Sequence, residues 1–363
     1  MSWRVLAGHQ LDSFRTLWQL AKTTAGVSHP VLEADFLASA QQLLSQYPER
    51  IHLAVHGPEN APDAALLLER LDACRWRSFS TAHIPLTTAC VSARSVERNT
   101  RFMHSLFGAL PGTPLVVKLV NADPEYFPDL RVLYADRAEA FQTHRTVRID
   151  VTDSFEEYWA SRSKNLRRNL RGLLNKLTAE GFAMRLTVLA DAVDMVPVIE
   201  QHGILERSGW KNVSGSPLEM ESNEGRFYDE LLRARAKQQR ARVYQLHIGE
   251  RLAASQLAVL DGTTLALLKT SYAADLSRFA PGRLLDYCML QQIFSEGLIR
   301  RVEYCTIANE DDLRWSTSHR EVFEVNVFRW PALLAAVSMM RRGRDLVRFR
   351  KFPSNSTVVA PAD

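Results

Sequence analysis

Cysteine is scarce and never closely paired. The 363 residues hold four, Cys74, Cys90, Cys288 and Cys305, and no two stand at C-x-x-C spacing. That argues against a zinc site and against a secreted disulfide framework, so no metal is expected. Long apolar runs are missing too: none approaches the ~18 residues that read as a membrane-spanning helix. The opening stretch MSWRVLAGHQLDSF has neither the apolar centre nor the small-residue cleavage pattern of a signal peptide. A cytoplasmic protein in a reducing compartment is the simplest expectation. Excess charge of one sign is small. A net charge of +4 does not make the whole chain a nucleic-acid binder, although its basic residues are clustered.

What remains is ordinary globular composition, 46% hydrophobic and 24% charged. The length suits about two domains of roughly 150 residues each. Only residues 353–363, polar and proline-containing, read as frayed. In the first half, apolar periodicity predicts helices over residues 12–24, 31–47 and 96–110 and strands over 51–56 and 115–120. The apolar stretches 66–71 and 76–79 fit either element. Helices and strands mix without a repeated βαβ period, which predicts an α+β (mixed α/β) unit. The passage 123–141 is loop-rich and holds the expected boundary, dividing the chain into 1–145, 146–329 and 330–363.

The second half is more legible. A strand over 146–151, a helix within 154–179, a strand over 182–189 and a helix over 191–207 lead to a Gly/Ser/Pro-rich loop at 213–217. After a helix over 224–239 come three strands, 241–248, 252–260 and 263–272, the last two joined at Asp261-Gly262, a strong hairpin signal. A helix beginning at Pro281-Gly282, a strand over 302–307, a short piece over 309–315 and a strand over 321–328 follow. The amphipathic helix predicted over 330–349 leads into an arginine-rich end: Arg341, Arg342, Arg344, Arg348 and Arg350. Cations there complement the helix dipole, or offer a basic face to a membrane surface or a partner.

Two features point to chemistry. The first is a strand running into a glycine-bearing helix start at Pro281-Gly282, flanked by Arg278 and Arg283. First-turn amides lack partners within a helix and carry partial positive charge, so an anion can sit there. The second is a helix bearing Lys164, Arg167, Arg168, Arg171 and Lys176 without an acid between them, opposite a stripe of leucines. Such a one-signed face repels itself and is either a solvated surface or an anion-binding one.

The order of three strands, Pro-Gly turn, helix and strand over 242–307 resembles the core of a GNAT acyltransferase. The basic helix, Glu206 with Trp210, Phe227-Tyr228, Lys269 and Tyr272, and the turn Pro281-Gly-Arg-Leu-Leu resemble a narrower branch. It comprises acetyltransferase-like proteins of cellulose and exopolysaccharide biosynthesis, distant relatives of the Fem-type aminoacyl ligases. The resemblance covers about residues 153–328 and is looser over the first half. It implies two tandem GNAT-like lobes, each a mixed sheet flanked by helices, followed by a C-terminal basic helix. Trp315 matches the branch, whereas its glycine and Tyr-Lys pair are absent from residues 308–315.

The resemblance implies acetyl-CoA or another acyl-CoA as co-substrate, its phosphates held at Arg278, Pro281, Gly282, Arg283 and Leu284. Glu206 or Glu303 would serve as base and Tyr272 or Tyr304 as acid, with Arg167, Arg168, Trp210, Lys269 and Trp315 on the substrate side. Cys288 and Cys305 are weaker nucleophile candidates. The expected activity is N- or O-acetyl transfer to a cell-envelope or exopolysaccharide precursor, a small-molecule, glycan or lipid-linked acceptor. The basic C-terminal helix would rest on a polysaccharide synthase or on the inner membrane. An aminoacyl-tRNA-dependent ligase is the alternative within the fold, and an inactive scaffold of a polysaccharide-synthesis complex is the alternative outside enzymes.

Overall fold

The computed structural model describes residues 2–7, 10–94, 102–128, 136–208 and 218–351. The side chains of 11, 12 and 342–351 lie outside the description, as do Trp210, the 213–217 loop and the tail 353–363. The architecture is mixed α/β: thirteen strands join in one sheet with helices on both faces.

The first lobe opens with β1 (Trp3–Ala7), α1 (Leu11–Ala25), α2 (Ala34–Leu44), β2 (Ile51–His56), β3 (Ala64–Arg70), β4 (Arg75–Ser78) and β5 (Ala89–Val91). It continues with α3 (Phe102–Ala109), β6 (Val116–Ala122) and β7 (Ala138–Asp150). The second contains α4 (Phe155–Ser161), α5 (Lys164–Ala179), β8 (Met184–Leu189), α6 (Met195–Ser208), α7 (Asn223–Lys237), β9 (Ala241–Ile248), β10 (Arg251–Asp261) and β11 (Thr264–Tyr272). It ends with α8 (Pro281–Glu296), β12 (Arg301–Glu303), α9 (Glu310–Trp315), β13 (Ser318–Phe328) and α10 (Pro331–Lys351). The two apolar stretches without an assignment are β3 and β4. The helix predicted over 31–47 is interrupted at Glu33, whose extended backbone separates a 3-10 turn from α2.

Sheet order reveals a repeated plan. In each lobe four antiparallel strands precede a helical crossover to a parallel neighbour: β1-β2-β3-β4 with β6, and β8-β9-β10-β11 with β12. The final strands are exchanged. β7, from the first half of the chain, pairs with β12, and β13, from its end, pairs with β6; the two then pair with each other from Ala138↔Val327 to Arg148↔Ser318. The expected boundary at 145/146 therefore falls inside β7, and each lobe's sheet is completed by the other lobe's chain.

The lobes also share a core. Phe36 of α2 meets Phe227 of α7 edge-on at 5.3 Å within one buried cluster that includes α1, α6 and β9–β11. Beside it lies a buried ionic knot. Lys22 donates to Glu33 and, at 2.8 Å, to Asp261 at the β10 end of the hairpin. Ser28 donates to Asp261 at 3.0 Å, and Arg235 of α7 stands 3.8 Å from Glu33. The kink at Glu33 thus serves this seam between lobes.

Burial works to raise the Asp261 pKa, but hydrogen bonds and charge from Lys22, with help from Ser28, hold its carboxyl below the usual range. Its contribution is present above the ordinary carboxylate pKa and is lost as pH falls through the depressed one. Removing one member of a buried ionic cluster strands the others, at about 3–5 kcal/mol. Lys22→Met is therefore expected to lower denaturation stability by about that much at pH 7. The deficit should shrink below about pH 4 as the stranded carboxylates take up protons.

Candidate active site

The parallel pair β11–β12 holds for only three residues, from Thr264↔Arg301 to Ala266↔Glu303. Beyond them the strands part. Two irregularities produce the opening. On β11 the register with β10 slips between Leu257↔Lys269 and Ala258↔Leu267, so Leu268 has no strand partner on either side. On the other side Cys305 takes a left-handed conformation, φ 52°, and ends the strand that periodicity extends to 307. A left-handed non-glycine residue carries strain on the order of 1–2 kcal/mol.

The gap is a cavity of about 690 Å³. Its walls are the end of β11, the turn and first helical turn at Ala280–Arg283 with Asp286 beyond, the Tyr304–Thr306 stretch, and Asn309, Asp311 and Asp312 of the α9 start. The turn fits an anion. Ala280, the residue before α8, is left-handed (φ 48°) and offers no side-chain cap, and Pro281 occupies the first helical position. A Cβ built on Gly282 would meet only the Tyr272 ring, at 4.0 Å, and Gly282 is not left-handed. Nothing in the protein itself demands glycine there, so the open backbone suits a close-approaching ligand.

Of the residues expected to form the phosphate cradle, Pro281, Gly282 and Arg283 line the cavity. Leu284 does not. Its side chain is fully buried in the core beneath the sheet and its amide donates to the Ala280 carbonyl at 3.3 Å. Both arginines are engaged: Arg283 grips Asp311 with two bonds of 2.8 and 3.0 Å, and Arg278 meets Glu180 at 2.8 Å.

The expected bases are committed elsewhere. Glu303 is buried on β12, accepting from Tyr126 at 2.9 Å and from Arg320 at 2.8 Å, and is absent from the cavity wall. Glu206 is fully buried on α6. One oxygen accepts the Leu218 amide at 2.8 Å and the other lies 3.3 Å from the Lys269 ammonium, which also bonds Glu224 at 2.5 Å. Glu206 therefore ties Lys269, which does line the cavity, to the chain at Leu218. That chain runs tightly past both helices: a Cβ on Gly203 or Gly225 would stand 2.1 Å from the Leu218 carbonyl oxygen or 1.8 Å from that of Glu219.

Tyr272 and Tyr304 both line the cavity. The Tyr304 hydroxyl is buried without a hydrogen-bond partner among the described residues. Burial, then Asp286 and other nearby groups, pushes its pKa well above 10, so it remains a neutral donor. Trp315 is buried in the core against Trp159, outside the cavity wall. Arg167 and Arg168 sit on α5, which contributes nothing to that wall, and Trp210 lies outside the described residues. Burial raises the Cys288 thiol to about 11 and Cys305 well above its usual value, leaving neither a ready nucleophile.

Three cavity residues escaped the sequence reading: Asp286, Asp311 and Asp312. Asp286 had a visible signal, a lone carboxylate within the apolar run Leu284–Met289. Desolvation, with Asp312 and Asp311 adding repulsion, raises its pKa to about 7. Among the described residues no clustering suited to a metal ion occurs. A second cavity, about 970 Å³, lies at the opposite ends of β11 and β12. In its wall Arg301 meets Glu125 at 2.7 Å and the Tyr126 hydroxyl donates to Glu303.

The family model of the acetyltransferase (GNAT) domain matches residues 164–312, from α5 through the start of α9 and so across the whole cavity wall from β11 onward. The second lobe is thus similar to a GNAT domain. Solved structures share the fold across both lobes. FemX aligns with a TM-score of 0.57 at 9% identity, covering 91% of this chain and 98% of its own. A conserved Bacteroides thetaiotaomicron protein of unknown function gives 0.55 at 10%, covering 88% and 97%. The C-terminal domain of a putative lysylphosphatidylglycerol synthetase from Agrobacterium fabrum gives 0.54 at 11%, covering 88% and 93%. No curated protein matches the chain. Among the described residues, no helix is long and apolar enough to cross a membrane.

The raised Asp286 pKa has a sign. A carboxyl near 7 in the fold and near 3.8 unfolded favours the native state below about pH 4, and that advantage is lost as pH rises through 7. Asp286→Asn is therefore expected to stabilise the protein at pH 8 by about 1–2 kcal/mol, cleft water screening part of the full linkage value. Thermal melts should show the gain reduced at pH 5 and absent below about pH 4.

Proposed function

We propose that the protein is an acyl-CoA-dependent acyltransferase acting on a cell-envelope or exopolysaccharide precursor. The observation that carries this reading is the uncapped Ala280–Gly282 turn opening on a cavity between parted parallel strands. The turn would hold the phosphates, with Arg283 and Arg278 rotating from their carboxylates onto them. The unpaired Leu268 backbone stands where an amide could polarise the acyl carbonyl. Lys269, fixed by Glu206 and Glu224, would face the acceptor. The exposed Trp330, with Met339 and Met340 of α10, suits contact with a synthase or an inner-membrane surface.

One observation favours a second reading. Three carboxylates line the cavity, which suits a donor bearing a cation, as an aminoacyl group does. The α5 cations Lys164, Arg167 and Arg171 have no acidic partner among the described residues, a surface that would suit tRNA.

Calorimetric titration with acetyl-CoA and with bulk tRNA separates the two. Submillimolar acetyl-CoA binding, weakened at least about tenfold in Gly282→Trp, is the expected result, a difference of about 1.4 kcal/mol. Salt-sensitive tRNA binding without acetyl-CoA binding would replace the first reading by the second. Binding of neither would overturn both and leave a scaffold role.

A further inference from the structure

With Glu206 and Glu303 both committed, the cavity still contains a carboxyl that is not. Asp286 lies one helical turn beyond Gly282, on the wall shared with Tyr304, Asp311 and Asp312. Its neighbours are otherwise engaged. Asp311 is gripped by Arg283, and Asp312 closes the α9 capping box by accepting the Asn309 amide at 3.0 Å. No hydrogen bond or ion pair among the described residues holds Asp286. The Tyr304 hydroxyl beside it is buried, a donor lacking an acceptor among the described residues. A polar group buried without a partner is costly, and its retention at a cavity wall points to a partner supplied by a ligand.

We infer that Asp286 is the catalytic residue that takes the proton from the attacking acceptor, and that Tyr304 donates a hydrogen bond to the reacting group. The inference rests on the acyl-transfer reading. As the acceptor's nitrogen or oxygen attacks the thioester carbonyl, its bond to carbon forms and its proton passes to the Asp286 carboxylate. The carbon–sulfur bond then breaks, sulfur leaves with the electron pair as thiolate, and Asp286 returns the proton to it. The products are the acylated acceptor and the free thiol, with Asp286 regenerated. Tyr304 stays protonated throughout.

The electrostatic surroundings agree. The groups facing Asp286 are Asp311 and Asp312 from α9, Tyr304 after β12 and Tyr158 from α4, with Arg283, committed to Asp311, on its own helix. Burial first, then Asp312 and Asp311, raise its pKa to about 7, where a carboxyl can take a proton and return it near neutral pH. A thiolate of ordinary pKa about 8.5 is the stronger base, so the return runs downhill.

The test measures thiol release from acetyl-CoA by the full chain, with water and then hydroxylamine as acceptor, between about pH 5 and 9, alongside calorimetric acetyl-CoA binding. Wild-type release should rise through a limb near pH 7. Asp286→Asn should lose the limb and about 100- to 10,000-fold of the rate with binding kept, and Asp286→Glu should recover part of it. Binding without release in the wild type, or a limb that survives in Asp286→Asn, overturns the assignment. Failure to bind acetyl-CoA defeats the acyl-CoA reading instead. Carbodiimide coupling of glycine ethyl ester near pH 6.5, mapped by peptide mass, then decides the residue: labelling of Asp286 ahead of Asp311 and Asp312 supports it. Labelling that spares Asp286 overturns it whether or not acetyl-CoA binds.

Discussion

Two parallel strands that pair for three residues and then separate are the constraint on which the rest depends. Had β11 and β12 continued in register, the backbone at Leu268 would be bonded across the sheet and Tyr304 would be one more packed ring. The slip at Leu257/Ala258 and the left-handed Cys305 prevent that from both sides. A bulge in one strand and a reversed residue in its neighbour are local irregularities of the kind found beside functional sites. The resulting gap collects the uncapped turn, Lys269, the two tyrosines and the three carboxylates.

The opening would be weak in an isolated lobe, because three residue pairs secure β12 poorly. The exchange of final strands answers this. β7, delivered by the first half of the chain, bonds β12 along its other edge, and β13 bonds β7 and β6 together. Glu303 then gains its place. Its carboxylate, bound by Tyr126 and Arg320, fastens β12 to the first lobe. Breaking such a buried pair by removing one partner is far more costly than the pair's net contribution suggests. The first lobe supplies no wall of the cavity except Ala82, yet it holds the strand against which the cavity opens.

Much of this was legible in order and period. The Asp261-Gly262 hairpin, the 3.6-residue pattern of α5 and the Pro-Gly start of α8 are local signals, and the elements formed where they predict. The tandem arrangement followed from a resemblance rather than from periodicity. The strand exchange was not legible, because pairing between residues nearly 200 positions apart leaves no trace in local pattern. The partners of the expected bases were illegible for a related reason. A glutamate in a strand or at a helix end has the same local appearance whether it faces solvent, a ligand or a buried guanidinium, and only the fold brings Arg320 to Glu303 and Lys269 to Glu206. Asp286 was overlooked although it interrupts the apolar run Leu284–Met289, the position at which a charge on a packed helix asks for a reason.

The central claim is that the gap between β11 and β12, and not the larger cavity at the lobe seam, receives the acyl donor. Hydrogen–deuterium exchange of the full chain with and without acetyl-CoA tests it most directly. Protection confined to the β11 end at residues 268–272, the turn at 280–284 and the stretch 304–306 is the predicted result. Protection centred instead on residues 25–28, 124–128 and 300–301 would contradict it.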